Sequence, residues 1–306
     1  MSSTLEDSTS WEATLFGGIQ RQFTSPKPLP ANTGLDGQVA IVTGSNGGLG
    51  LEACRQLLKH RLTHLVIAVR SKAGGEAAAN QLRQEFPDPR ITIDVWLINM
   101  ESYDSIQQFV DQVWTLSRID VVILNAAAVM TTATLNPSTG HESTMQVNYL
   151  STALLAILLL PILKSSNIRN NPSRPPVLSL VGSDLMYTPD FAPKIKSSVL
   201  PQYDTKENFE TFAWYAGSKL LLVFFVSRLA ELVDPADVLI NVPNPGLTRY
   251  SGLDRYASLG VRTFMKFFRL TLGRSLETSA SIYLDAVLVR GPESHGSFIS
   301  DWEIKP

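Results

Sequence analysis

A tyrosine and a lysine four residues apart, in Tyr215-Ala216-Gly217-Ser218-Lys219, open a strongly apolar helical stretch, and that spacing puts the phenol and the ammonium on one helix face. A phenol in water titrates near pH ~10, so a tyrosine that exchanges a proton near neutrality must be made roughly 4 kcal/mol easier to ionise. A neighbouring cation supplies most of this, because a lysine charge about 5 Å away contributes ~3 kcal/mol at an effective dielectric of about 20. The pair is suited to general acid/base work on a carbonyl or alcohol oxygen. The same spacing also describes an ordinary surface pair, so its meaning depends on its surroundings.

A second cluster lies upstream, where Thr43-Gly44-Ser45-Asn46-Gly47-Gly48-Leu49-Gly50 follows the apolar run Val39–Val42 and precedes a helix-like stretch from Leu51 to Leu58. Glycines at a strand-to-helix turn let backbone approach a pyrophosphate, which the unpaired amides and partial positive charge of the helix N-terminus hold. Gly44 permits the tight turn, Gly48 leaves room for phosphate and Gly50 allows close packing, with Thr43, Ser45, Asn46 and Leu49 completing the loop. A glycine-rich turn without a ligand fits the same letters, and the position after the first strand favours the dinucleotide. The next apolar run ends in Ala68-Val69-Arg70-Ser71-Lys72, where an NAD site would present a carboxylate to the ribose 2′-hydroxyl. Arg70, with Ser71 or Lys72, instead offers charge-assisted hydrogen bonds suited to a 2′-phosphate, so NADPH (NADP+) is the expected cofactor. The plainer alternative is a solvated surface arginine.

These residues need a scaffold, and the hydrophobic pattern provides one. Val39–Val42, Leu65–Val69, Ile93–Ile98, Val121–Leu124, Val177–Val181, Val238–Val242 and Gly296–Ile299 read as strands, several of them apolar throughout, as strands buried on both faces are. Helical stretches at 49–60, 74–86, 103–117, 141–164, 215–233 and 275–289 alternate with them. That rhythm predicts an α/β fold: one doubly wound, Rossmann-type domain over residues 35–306, with a mostly parallel sheet of roughly seven strands between helices. Residues 1–34 read as an appended arm, with a short helix from Trp11 to Phe23 and a linker containing Pro26, Pro28 and Pro30. Two excursions, at about 184–214 and 247–274, break the rhythm, and substrate recognition is expected there.

Composition narrows the function classes. With 44% apolar and 18% charged residues and a formal net charge of −2, the chain lacks the electrostatic footprint of a nucleic-acid binder. The lone Cys54 excludes an intrachain disulfide, and His60, His64, His141 and His295 have no metal-ligand spacing, so no metal is expected. Glu6 and Asp7 stand where a signal peptide needs positive charge, which points to a cytoplasmic protein. The longest apolar stretch, Leu150 to Leu163, ends near Pro161, short of the roughly 20 residues of a membrane span, and reads as a buried helix.

Taken in order, these motifs resemble the short-chain dehydrogenase/reductase superfamily over nearly all of residues 36–306. The family's glycine motif falls on Thr43–Gly50, its Asn-Ala-Gly strand end on Asn125-Ala126-Ala127, its helix asparagine on Asn148, its serine on Ser183, its Tyr-x-x-x-Lys on Tyr215 and Lys219, and its Pro-Gly on Pro245-Gly246. The resemblance implies that Tyr215 protonates the carbonyl oxygen and that Ser183 hydrogen-bonds it as charge develops. It implies that Lys219 also holds the nicotinamide ribose, that Asn148 orders a water relaying protons through Lys219, and that Pro245, Gly246 and Thr248 lie beside the carboxamide. The resemblance also puts Asn99 and Met100 at the adenine end, Asn99 standing where the family usually has an aspartate, with an amide that still accepts a hydrogen bond. Other departures are Ala127 for glycine, Leu124 for the first asparagine of the longer signature, Gly182 for the first of two serines, and Tyr250 where a threonine often follows Pro-Gly.

Within the superfamily the arm, the insertion before Tyr215 and the ending Glu293-Ser294-His295-Gly296 resemble retinol-dehydrogenase-like members of fungal secondary metabolism. That implies reduction of a bulky apolar ketone or aldehyde, such as a polyketide or terpenoid intermediate. Met186, Tyr187, Phe191, Phe209, Phe212, Trp214, Tyr250, Tyr256 and Phe264 are candidates to line its pocket, or are packing residues. The stretch Val261–Leu272 reads as a lid or as a membrane-surface helix. Alternatives in other classes are a scaffold or non-redox protein that keeps the cofactor site, and an NADP+-dependent alcohol dehydrogenase working oxidatively. Helices 141–164 and 215–233 are apolar around much of their circumference, which under the resemblance implies paired helices across a subunit interface and a homodimer or homotetramer.

Overall fold

The computed structural model describes residues 3–30, 33–170, 172–188, 200–207, 209–249 and 270–306. Among them, eight strands form one sheet: β1 (Val39–Thr43), β2 (His64–Val69), β3 (Thr92–Leu97), β4 (Val121–Leu124), β5 (Val177–Leu180), β6 (Leu239–Asn244), β7 (Phe298–Ser300) and β8 (Glu303–Lys305), in the order β3-β2-β1-β4-β5-β6-β7-β8. All neighbours pair in parallel except β7 and β8. The order reverses between β1 and β4, and ligands of open α/β sheets bind at such a switch point, outside the carboxyl ends of the strands.

The alternation along β1 explains the two cores. Val39 and Ile41 point to a face covered by α5 (Tyr103–Val113), α6 (Ser143–Asn170) and α8 (Thr211–Ala230); Ala40 and Val42 point to a face covered by α3 (Gly48–Lys59), α4 (Lys72–Glu85) and α9 (Leu276–Leu284). Helix starts follow side-chain capping: Ser71, Ser102 and Ser275 accept from the amides of Gly74, Ser105 and Thr278 at 3.3, 3.2 and 3.0 Å. A short helix, α7 (Leu200–Tyr203), packs beneath the start of α8, with Trp214 donating to the Tyr203 carbonyl at 2.8 Å.

Three expectations need correction. The sheet has an eighth strand, made by a two-residue turn in which Asp301 and Trp302 both take positive φ, 45° and 59°. Such turns are normally signalled by Asn-Gly or Gly-Gly; here complete burial of the Trp302 ring accompanies the unfavourable backbone, a tertiary effect that local sequence does not announce. Second, the helix read over 141–164 does not stop there but runs through Pro161 and on to Asn170. Pro161 sits on the exposed side, where the carbonyl it leaves unbonded is open to water. The resulting helix, like α8, is long and apolar enough to cross a membrane, yet both pack one side against the sheet, with half or more of their apolar stretch buried. Third, the arm contains two helices, α1 (Ser3–Glu12) and α2 (Leu15–Phe23), because Thr14 interrupts the run: its hydroxyl bonds the Trp11 carbonyl at 2.7 Å and accepts from Gly17 N at 3.0 Å.

Candidate active site

At the carboxyl ends of β1 and β4 the chain folds around a cavity of about 520 Å³. Its floor is the glycine turn. Gly44 has φ +65°, and a Cβ there would lie 2.9 Å from Ala126 Cα; a Cβ on Gly50 would lie 2.6 Å from Gly44 O. Space and backbone angle thus both demand glycine. Hydrogen bonds lock the turn in place: Asn125 Nδ2, at the end of β4, donates to the carbonyls of Thr43 and Gly44 at 3.0 and 3.3 Å, Ala126 N donates to Thr43 Oγ1 at 3.0 Å, and Ser45 Oγ folds back on β1, donating to Val42 O at 2.7 Å. Gly44→Ala is expected to cost roughly 1–2 kcal/mol for the left-handed backbone, plus the strain against Ala126, and to appear as a lower midpoint in chemical denaturation.

Arg70 and Ser71, at the end of β2, line one end of this cavity together with Asn99, Met100 and Glu101 from the end of β3. Arg70 Nη1 lies 3.2 Å from Glu101 Oε2, and Ser143 donates to Glu101 Oε1 at 3.1 Å. Glu101 was invisible to a search for a carboxylate after β2, because parallel pairing brings it in from the neighbouring strand. Asn99 Oδ1 accepts from Glu101 N at 3.2 Å, which orients the amide and leaves one of its lone pairs for a ligand.

The other end of the cavity holds Tyr215 and Lys219 on α8, with Val181, Gly182 and Pro245 beside them. Lys219 Nζ lies 5.9 Å from the centre of the Tyr215 ring and donates to Val181 O at 2.7 Å, so the ammonium ties α8 to the strand end that leads into Ser183. Burial brings the Lys219 ammonium down to about 8. Asn148 stands in a π-helical turn, Gln146–Leu150, an irregularity common at functional sites. Its amide is committed: Oδ1 accepts from Ala128 N at 2.8 Å, and Nδ2 donates to Ala128 O at 2.9 Å and to Ser218 Oγ at 3.1 Å, while Ser218 donates to the Tyr215 carbonyl at 2.7 Å. Asn148 therefore joins the strand-end loop to α8, the helix that carries Tyr215 and Lys219. Ser183 caps the turn Asp184–Tyr187, accepting from Leu185 N at 3.4 Å. Asn244 joins this turn to the next loop, its Oδ1 accepting from Asp184 N at 3.3 Å and from Gly246 N at 3.1 Å.

Of the residues singled out in the sequence, Gly44, Asn46, Gly48, Leu49, Gly50, Arg70, Asn99, Met100, Asn125, Ala126, Tyr215, Lys219 and Pro245 line the cavity. Thr43, Ser45, Asn148, Ser183, Gly246 and Thr248 stand behind them; Thr248 is buried, its hydroxyl donating to Gly246 O at 3.0 Å and lying 2.8 Å from that of Ser279. Sequence reasoning missed Glu101, Ser218, Asn244 and Tyr283, whose hydroxyl donates to Asn125 Oδ1 at 3.2 Å. No motif spacing marks them, since each is recruited by tertiary contact. The candidate pocket aromatics fare differently. Met186, Tyr187 and Trp214 pack in or against the cores, Phe209 packs on Trp214 at 5.3 Å, and Phe212 is exposed; Phe191, Tyr250, Tyr256 and Phe264 lie outside the described residues, as does most of the stretch 261–272.

Comparison with known proteins places this geometry. The family model for short chain dehydrogenases matches residues 38–169. Short chain dehydrogenase virL of Hypocrea virens is 52% identical over 100% of this chain and 88% of its own length, and short chain dehydrogenase opdN of Penicillium oxalicum is 43% identical over 100% of both. The fold is similar to that of a short chain dehydrogenase from Escherichia coli CFT073 solved with NADPH, at a TM-score of 0.64 and 17% identity over 88% of this chain and 98% of that one. Identity of this extent, running from end to end, means that the chain belongs to the short chain dehydrogenase family and is an oxidoreductase.

Proposed function

We propose that the enzyme is an NADPH-dependent ketoreductase that reduces a ketone or aldehyde on a bulky apolar small molecule, of the polyketide or terpenoid kind made in secondary metabolism. One observation carries this reading: Arg70, the glycine turn and the Tyr215–Lys219 pair meet on a single cavity, in the order in which a 2′-phosphate, a pyrophosphate and a nicotinamide would lie. The fit is supported at Gly47, which lines the cavity and beside which a Cβ would meet only open space, so bare main chain faces the volume that a pyrophosphate would fill. In this reading the Gly44–Gly50 turn holds the pyrophosphate, Asn99 and Met100 the adenine, Arg70 and Ser71 the 2′-phosphate, and Lys219 the nicotinamide ribose. NADPH supplies the hydride when bound.

The chain's own residues manage the proton and the oxygen. Tyr215 delivers a proton to the carbonyl oxygen from a phenol that is 7% exposed, and the Ser183 hydroxyl donates to the same oxygen. The Lys219 ammonium favours the phenolate left behind. Asn148 acts chiefly by positioning Ser218 and the main chain of Tyr215, and can contribute to ordering a relay water only with the lone pair its carbonyl has left. Short chain dehydrogenases of similar fold solved with NADPH or NADP support the cofactor choice.

Two further expectations follow. Because burial disfavours its charged form, Lys219 is protonated below about 8 and neutral above it, so kcat/KM for reduction should hold at neutral pH and fall with increasing slope as pH rises past that value. A pH–rate profile with no basic limb in that range would remove Lys219 from this role. The exposed apolar side chains Ile157 and Phe224, on α6 and α8, support pairing of these helices across a homodimer or homotetramer interface, in a cytoplasmic protein. The function itself is tested by incubating the enzyme with NADPH and a panel of apolar ketones. Carbinol formation matched by NADPH consumption is expected, whereas a protein that binds NADPH yet consumes none with any ketone would favour a non-redox role.

A further inference from the structure

The arm is fastened at both sides of the catalytic end of the sheet. Gln22, at the end of α2, donates from Nε2 to the carbonyls of Leu247 and Leu272 at 2.8 and 2.9 Å and accepts from Leu247 N at 2.9 Å. Its amide bridges two chain segments that already run together, since Thr248 pairs with Arg274, Arg249 N donates to Arg274 O at 2.9 Å and Arg274 N donates to Leu247 O at 2.9 Å. Arg274 returns the contact, donating from Nε to Gln22 O at 3.0 Å and from Nη2 to Arg21 O.

Arg21 reaches the other side. Its guanidinium sits 5.0 Å over the ring of Tyr187, which closes the Asp184–Tyr187 turn directly after Ser183, and Tyr187 is itself fixed by donating to the carbonyl of Pro306 at 2.7 Å. Arg21 is only 5% exposed and is paired with Glu12 of α1, whose second oxygen lies 3.0 Å from Lys305 Nζ on β8. A buried arginine paired to a carboxylate and stacked on an aromatic ring is a rigid support, costly to assemble and unneeded in a tether. Among the described residues, then, α2 lies across two loops that are separate in sequence: the one that carries Ser183 and the one that carries Pro245-Gly246.

We propose that the N-terminal arm is a positioning element of the active site, in which Gln22 and Arg21 hold the Gly246–Thr248 and Asp184–Tyr187 segments in one register so that the nicotinamide end of the cofactor and Ser183 meet correctly. The inference rests on the reading of the cavity as an NADP(H) site. It assigns the arm to one end of that site, because the contacts of Gln22 and Arg21 fall on Leu247, Leu272, Arg274 and Tyr187, at the nicotinamide end. A general stabiliser would affect both ends alike, and this difference is measurable.

Full-length Gln22→Ala is to be titrated with NADPH and with adenosine 2′,5′-bisphosphate, which carries the adenine end and lacks the nicotinamide. Loss of three hydrogen bonds that hold a binding loop is expected to weaken NADPH about 10-fold and to leave the bisphosphate within about twofold. Gln22→Glu, nearly equal in size, repeats the test should the alanine variant not fold: it keeps the acceptor for Leu247 N, loses both donated bonds, and is expected to give the same nicotinamide-selective loss. Equal weakening of both ligands, or unchanged NADPH affinity, would overturn the proposal while leaving the cofactor site intact. A wild-type protein that binds neither ligand would overturn the cavity reading, and this inference with it.

Discussion

Tyr215→Phe is expected to lower kcat by about 10²–10⁴ while the affinity for NADPH stays within a factor of about two. The substitution removes one hydroxyl and leaves the ring, so the packing of a residue that is 7% exposed on α8 is preserved. Lys219 keeps its bond to the Val181 carbonyl, and Ser218 keeps its bond to the main chain of residue 215, so the scaffold around the missing proton donor does not change. What is lost is the proton at the carbonyl oxygen, an interaction made as the reaction proceeds, and such losses fall on kcat rather than on binding. Steady-state kinetics with any ketone that the wild type reduces, together with a direct titration of NADPH, separates the two quantities. A variant that turns over within a few-fold of wild type would show that another group supplies the proton.

The second large effect is expected at Arg70. Arg70→Ala should weaken NADPH by about 10- to 100-fold, the range of a charged hydrogen bond worth ~1.5–3 kcal/mol, and should leave NADH nearly unchanged. The lower part of that range is favoured by the setting, since the arginine side chain is 57% exposed and water screens it. Glu101 works in the same direction. In the structure its carboxylate lies 3.2 Å from the guanidinium, and a 2′-phosphate would compete for that cation; once the arginine is gone the carboxylate is left facing the phosphate unneutralised. Calorimetric titration of both nucleotides into wild type and variant measures this. Equal loss of NADH and NADPH affinity would mean that Arg70 shapes the cavity without reading the phosphate.

Much of this site was legible in the sequence, for a physical reason. The parallel sheet is buried on both faces, so its strands appear as apolar runs, and the loops at their carboxyl ends carry the chemistry at short, fixed distances from them. The glycine turn, Arg70 and Asn125 are of this kind, following directly on β1, β2 and β4, whereas Tyr215 and Lys219 were legible through their own four-residue spacing on α8. What escaped depends on contacts between distant segments. Glu101 reaches Arg70 only through the pairing of β2 with β3, and Asn244 links the loops after β5 and β6. The commitment of the Asn148 amide to Ala128 and Ser218 follows from a π-helical turn that has no sequence signature.

Of the two uses that the sequence leaves open for the aromatic residues, packing holds for two of them: Trp214 stacks edge-on to Tyr203 at 5.3 Å and supports the start of α8, and Tyr187 packs edge-on to Phe298 at 5.8 Å. Aromatic side chains carry much of the burial in any core, so composition cannot separate the two uses. The arm was legible as helical but not as part of the site, because Gln22 is 225 positions away from the residue it holds.

Calorimetric titration of the purified wild-type chain with NADPH and with NADH decides whether the cavity is an NADP(H) site. One site per chain is expected, with NADPH bound at least about 10-fold more tightly than NADH, as for a 2′-phosphate that meets a guanidinium. Binding of neither nucleotide, or equal binding of both, would contradict it.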